Sequence, residues 1–256
     1  MRNLVTSVLR AYRQYRIAKA KSRPYKVLRY AVFAAVLGYL LLLSFPQVLF
    51  AHESSYKNFK VYSREPLDQS LYAVIDKAAA KLSASGINND EVKPRIFLTN
   101  SHSLYAVLSL YIGGNSFGKG YPILPSDNIF INQADLTKDL VYRNAEANNE
   151  RALSGVIAHE TTHLLIRKKF GYWKNLRFPV WKREGFCEYV AGGSTLNYET
   201  GVRMWKETPR DGTGYQYFKY YMLVKYLLEN EKLSVEDLFN RDIDVQALEA
   251  RVLSIL

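Results

Sequence analysis

Residues 30–51, YAVFAAVLGYLLLLSFPQVLFA, place 22 consecutive positions without a charged side chain near the start of the chain. At about 1.5 Å per residue a helix of that length reaches roughly 33 Å, enough to cross the hydrocarbon core of a bilayer. A buried helix of a soluble protein would carry polar punctuation within such a run. Tyr30 and Tyr39 are tolerated in a span, and Pro46 lies near the far end, where a kink costs least. Residues 1–29 hold nine Lys and Arg and no acid. Because Lys/Arg-rich flanks stay in the cytoplasm, the reading is a basic cytoplasmic tail over 1–29, a transmembrane signal anchor in the lipid bilayer over 30–51, and an extracytoplasmic domain over 52–256.

A cleaved signal peptide competes with the anchor. Its basic region is usually short and its cleavage site small-x-small, whereas this tail is 29 residues long and the run ends Leu49-Phe50-Ala51. The uncleaved anchor is the better match. Within the tail, Leu4, Val8, Leu9, Ala11, Tyr12 and Tyr15 are spaced roughly helically among arginines, a pattern that suits anionic lipid as well as plain topogenic signalling.

The formal charge of +11 invites a nucleic-acid reading, so its location matters. Of the 35 Lys and Arg, nine are in the tail, leaving 26 against 24 acids in the rest of the chain. The basicity belongs to the membrane-proximal tail, and nucleic acid is not an expected partner. Cys187 is the single cysteine, so no internal disulfide forms.

Beyond the anchor, 52–66 reads as a polar connector and 67–87 as a helix with Leu71, Ile75, Ala79 and Leu82 on one face and a stop at Gly86. RIFLTN (95–100) and NIFIN (128–132) are predicted strands, joined through SHSLYAVLSLYIGG and an irregular stretch marked by Gly113, Gly114, Gly118, Gly120, Pro122 and Pro125. A helix follows, capped by Asn148 or Asn149, with Glu150 in its first turn, Arg167, Lys168 and Lys169 in its last, and Gly171 as its stop. Further helices are expected over about 180–191, over 215–231 and at the C-terminus. Strands before and helices after predict an α+β domain.

The helix over 150–170 contains VIAHETTHLLI, residues 156–166, an apolar run interrupted by two imidazoles and a carboxylate. His159 and His163 are four apart and project from one helical face, where two ring nitrogens can meet one metal ion at about 2.0–2.1 Å. Glu160 stands beside the first of them, able to reach a metal-bound water without taking a coordination position. The bland alternative is a pair of satisfied core histidines with an exposed glutamate. His52 and His102 are poorly placed to complete a metal site, but WKREGFCEY supplies Glu184 and Glu188 one helical turn apart. Spacing alone does not say which would be the ligand. Cys187 reads as a small core residue, with metal binding in a latent state as the alternative.

HETTH, followed at Glu184 by the second helix WKREGFCEY, resembles the gluzincin branch of zinc metallopeptidases, whose second helix commonly reads W-x-x-E-G-x-x-E-Y. The match covers about 150–192. The resemblance implies a zincin-like fold with one Zn2+ ion held by His159, His163 and Glu184, with Glu160 as the catalytic carboxylate. It also implies that Glu188 orients the first histidine, and that a tyrosine at the head of the next helix, Tyr217, stabilises the oxyanion. Tyr215, Tyr220 and Tyr221 are close competitors, and a tyrosine-rich face also suits a core. NIFIN would be the edge strand that pairs with an extended peptide, a plain core strand being the alternative. Arg183 departs from the pattern, since many members carry a neutral residue before the third ligand. The expected activity is hydrolysis of a peptide or protein substrate; a catalytically inactive, membrane-tethered binding module is the rival, disfavoured by the intact Glu160.

The topology has a direct test. A reporter fused after Leu256 is expected outside the cytoplasm and one at Arg2 inside it; recovery of the full chain in the soluble fraction would rule out the anchor, and a mature N-terminus at His52 would indicate cleavage.

Overall fold

The computed structural model describes residues 10, 12–17, 23–110, 116–120, 126–144, 149–207 and 212–256. Most of the amphipathic tail, the Gly113–Gly114 and Pro122–Pro125 connections and the cap position Asn148 lie outside these residues. Contacts divide the chain into two units, Met1–Pro46 and Gln47–Leu256.

The first unit contains α1, Arg23–Ser44, whose stretch Pro24–Ser44 is long and apolar enough to cross a membrane. It starts earlier and ends sooner than the uncharged run suggested. Pro46 has no N–H to continue the helical ladder, so the chain leaves the helix after Ser44 and makes a 3-10 turn over Pro46–Leu49. Gln47–Ala51 belongs with the second unit, where Phe50 packs against Phe97 with ring centroids 5.2 Å apart.

The second unit is α+β. It opens with a hairpin of β1 (His52–Tyr56) and β2 (Phe59–Ser63), turned at Lys57 with φ of 53°. This corrects the connector expected over 52–66. β1 half-buries every second side chain and exposes Glu53 and Ser55, so its polar face reads as a linker until β2 is beside it. Helix α2 (Ser70–Ser83) buries Leu71, Val74, Ile75, Ala78 and Leu82, and the chain turns away at Gly86, φ 74°. β3 (Arg95–Leu98), α3 (His102–Leu108), β4 (Gly118–Gly120) and β5 (Asn128–Ile131) complete a sheet of order β1-β2-β3-β5-β4. β2, β3 and β5 run parallel; β1 and β4 are antiparallel to their neighbours.

The register sorts the sheet's side chains into two faces. Val61, Ile96 and Ile129 are paired in one row and belong to the main core, whereas Tyr62, Phe97 and Phe130 form the next row. In that row Tyr62 stacks on Phe97 at 4.7 Å and Phe97 on Phe130 at 5.3 Å. Burial on both faces is why RIFL and NIFI read as continuous apolar runs.

A second, antiparallel sheet follows: β6 (Gln133–Asp135), β7 (Leu140–Tyr142) and β8 (Glu150–Ala152). β8 takes the residues expected to start the motif helix, so α4 runs from Leu153 to Phe170 with Ala152 at its cap. Neither Asn149 nor Glu150 caps it. Asp139, in the β6–β7 turn, does so from a distance: its backbone oxygen accepts from Leu153 N at 2.9 Å, and its carboxylate from Ser154 N at 2.7 Å and Ser154 Oγ at 2.8 Å. The other end matches expectation, with Gly171 at φ 85° and Arg167, Lys168 and Lys169 in the last turn.

Among the described residues six further helices follow: α5 (Tyr172–Arg177), α6 (Val180–Ala191), α7 (Tyr198–Glu207), α8 (Thr213–Glu229), α9 (Val235–Asn240) and α10 (Val245–Ile255). α4 is buried nearly all round, packing on α2, α6 and β4, while α6 lies between α4 and α8. Gly185 lets α6 and α8 meet, since a Cβ there would collide with the Tyr220 carbonyl and lie 2.7 Å from Val224 Cγ2.

Replacing Asp139 with Ala removes both carboxylate acceptors at the start of α4. A stability loss of about 1–2 kcal/mol is expected, read as a lower denaturant midpoint for the full chain in detergent; an unchanged midpoint would mean that Asp139 does not cap α4.

Candidate metal centre

The face of α4 that meets α6 carries His159 and His163, with ring centroids 5.1 Å apart. Across from them, one oxygen of Glu184 lies 3.4 Å from His159 Nε2 and 3.5 Å from His163 Nε2. One turn further along α6, Glu188 Oε1 is 3.1 Å from His159 Nδ1, a close contact that falls short of an aligned hydrogen bond. Cys187 approaches the remaining ring nitrogen, with Sγ 3.4 Å from His163 Nδ1. Donor atoms of His159, His163 and Cys187 all lie within 4.8 Å of one another, so this group could hold a metal ion.

Two donor sets therefore share the histidines, one completed by Glu184 and the other by Cys187. The Glu184 carboxylate faces both Nε2 atoms, whereas the thiol lies on the Nδ1 side of His163. Burial, reinforced by the carboxylates of Glu184, Glu160 and Glu188, pushes the Cys187 thiol well above its usual range, so without a cation beside it the sulfur stays protonated.

Glu188 is 1% exposed and is kept charged by Arg151 of β8. Burial opposes its ionisation, but the guanidinium and then His159 hold its carboxyl below the usual range. Arg151 donates to both carboxylate oxygens, at 3.0 and 2.5 Å, and to Gly193 O at 2.7 Å. Nothing in the sequence marks Arg151 for this role, because β8 is three residues long and its arginine meets Glu188 of α6 only through the ion pair made in the folded unit.

Glu160, 8% exposed, accepts a hydrogen bond from Gly120 N of β4 at 2.8 Å. Gly118, in the same strand, sits so close to α4 that a Cβ would lie 2.8 Å from Val156 Cγ1. The strand beside the site is thus β4, while β5 (NIFI) lies inside the sheet between β3 and β4. Of the two readings open for NIFIN, edge or core strand, the structure shows the core strand. The glycines of 118–120 conceal a strand whose close approach to α4 requires them.

Tyr217 on α8 closes another side, with its ring centroid 6.5 Å from that of His159. Of the four tyrosines considered, it is the one that lines the cavity, whose volume is about 560 Å³. Burial, and then Glu184, Glu160 and Glu188, push its hydroxyl well above the phenol range, so it remains a proton donor. The same carboxylates act on His159: burial would lower it, but Glu188 and Glu184 beside it, with Glu160, carry it up to about 10. For Glu184, burial is likewise outweighed by His163 and His159, which hold its carboxyl well below the usual range. His52 and His102 lie elsewhere, on β1 and in the first turn of α3.

The site therefore draws together His159, Glu160, His163, Glu184, Glu188 and Tyr217 and gathers negative charge around two imidazoles. No protein-family model matches the chain, and no curated protein is significantly similar to it.

Arg151→Met leaves a buried carboxylate without its cation and is expected to cost about 3–5 kcal/mol in denaturant unfolding. Because Glu188's carboxyl is depressed in the folded state, its contribution is present above the ordinary carboxylate range and lost as pH falls through the depressed value. In Arg151→Met that acid loss should begin at higher pH; equal stability and an unshifted acid transition would overturn the pairing.

Proposed function

We propose that this chain is a membrane-anchored zinc peptidase of gluzincin type, held by α1 with its tail in the cytoplasm and its zincin-like second unit outside. One observation carries the reading: a carboxylate oxygen stands 3.4 and 3.5 Å from two imidazole Nε2 atoms. Bonds of about 2.0–2.1 Å to a tetrahedral ion require donors roughly 3.3–3.4 Å apart, so His159, His163 and Glu184 fit Zn2+. The local charge supports it too, since three glutamates that lift a buried histidine's pKa to about 10 favour a cation between them. Glu188, backed by Arg151, would orient His159 through Nδ1 and leave Nε2 on the side of Glu184, free to bind the ion.

When bound, zinc lowers the pKa of a coordinated water and polarises the scissile carbonyl. Glu160 takes the proton from the attacking water and delivers it to the leaving amine nitrogen. Its carboxylate is positioned for this by the Gly120 N–H and held off coordination by its place on α4. Tyr217, kept protonated, donates to the developing oxyanion. β4 ends the sheet beside α4 and offers an extended peptide an edge for antiparallel pairing, the role first expected of NIFIN.

Full-length protein in detergent tests the assignments. Glu160→Gln should keep stoichiometric zinc and lose hydrolysis of a peptide library by several orders of magnitude. Glu184→Ala should lose zinc, Glu188→Ala should bind it about 10–100-fold more weakly, and Cys187→Ser should retain it. Zinc kept by Glu184→Ala and lost by Cys187→Ser would make Cys187 the third ligand. Zinc binding without hydrolysis in the wild type would favour the inactive binding module.

A further inference from the structure

The cavity continues past His163 along α4, toward α5 and the first turn of α6, where Arg167, Asn175 and Arg183 line it. Two of its arginines are committed, Arg151 to Glu188 at 2.5 Å and Arg167 to Asp127 at 2.7 Å. Arg183 is not: its Nε is buried without a hydrogen-bond partner, and it forms no ion pair among the described residues. Asn175 is 4% exposed, and its Oδ1 is equally without a partner. An unused donor on a guanidinium and an unused amide acceptor thus share one wall of the cavity, a state that burial penalises until a ligand completes it.

We infer that Arg183 and Asn175 form a specificity subsite for a peptide residue bearing a carboxylate. A guanidinium presents parallel N–H donors that match a carboxylate's two oxygens, a fit that a neutral amide cannot reproduce. Asn175 Oδ1 in turn needs a donor, which the backbone N–H of the same substrate residue supplies. The carboxylate comes either from an acidic side chain or from the free C-terminus of the substrate; the recognition chemistry is the same. Both residues lie outside the set that holds the metal and moves the proton, so the subsite selects which peptides reach Glu160. The inference rests on the peptidase reading and extends it to substrate class.

The test uses full-length protein in detergent with zinc. Its substrates are paired peptide libraries differing by Glu or Gln at each position, each made with free and with amidated C-termini. The wild type should prefer one carboxylate-bearing partner by on the order of 10-fold or more in kcat/KM, mostly through KM. A Glu preference at a fixed distance from the cut assigns the side chain, and a preference abolished by amidation assigns the C-terminus. Arg183→Gln should bring the ratio close to one, and Arg183→Lys should keep part of it. Asn175→Asp, which sets a repelling carboxylate in the pocket, should reverse it and serves if Arg183→Gln does not fold. Equal cleavage of both partners by the wild type, or a preference surviving in Arg183→Gln, overturns the subsite and leaves the peptidase reading standing. If the wild type cleaves nothing, the peptidase reading fails, and fluorescence anisotropy with labelled Glu and Gln peptides decides the subsite alone. Tighter binding of the Glu peptide that Arg183→Gln abolishes supports it, and equal binding overturns it.

Discussion

Glu188 is 1% exposed and charged, a combination that a protein interior tolerates only when the charge is fully paired. The pairing comes from two elements that meet only in the folded unit. Arg151 on β8 grips both carboxylate oxygens, and His159 on α4 takes the side facing the cavity. Through this one carboxylate the short sheet β6-β7-β8, the motif helix and α6 are held in a single arrangement. Two helices carrying imidazoles and carboxylates can therefore be buried against one another.

The same economy of contact governs the cavity's other walls. Gly185, the residue after Glu184, allows α8 to press on α6, and that approach sets Tyr217 near the histidines. Gly118 lets β4 settle onto α4, where Gly120 donates to Glu160. Each of these glycines stands beside a residue of the proposed chemistry, and in each case the missing side chain is what permits the neighbouring group to reach the site. Close packing and the geometry of the candidate site are one requirement here.

The cavity also separates two kinds of polar group. Glu188, Arg151, Glu184 and His159 neutralise one another across α4, α6 and β8, whereas Arg183 Nε and Asn175 Oδ1 are left unmet. The first kind finds its counter-charges within the fold; the second finds no hydrogen-bond partner there. That difference divides the proposed metal centre from the proposed substrate subsite.

Local patterns in the chain were enough to mark the apolar N-terminal helix, the α+β class, α2, the strands RIFL and NIFI, and the pairing of HETTH with the glutamates of WKREGFCEY. Each depends on periodicity or spacing within one element, which the backbone geometry of a helix or strand converts directly into a shared face. What needed the tertiary structure was any property shared between elements. The hairpin at 52–63 looked like a linker because its burial comes from pairing. The start of α4 was misplaced because Asp139 caps it from a remote turn and β8 takes the residues before it. NIFIN reads equally as edge or core strand because a strand's neighbours are set by sheet order, and three residues rich in glycine, 118–120, carry no alternation to announce themselves. The placement of Arg151 and Asn175, and the approach of both Glu184 and Cys187 to the two histidines, appear only in three dimensions, since charge pairing and donor geometry act through space between residues that the chain keeps apart.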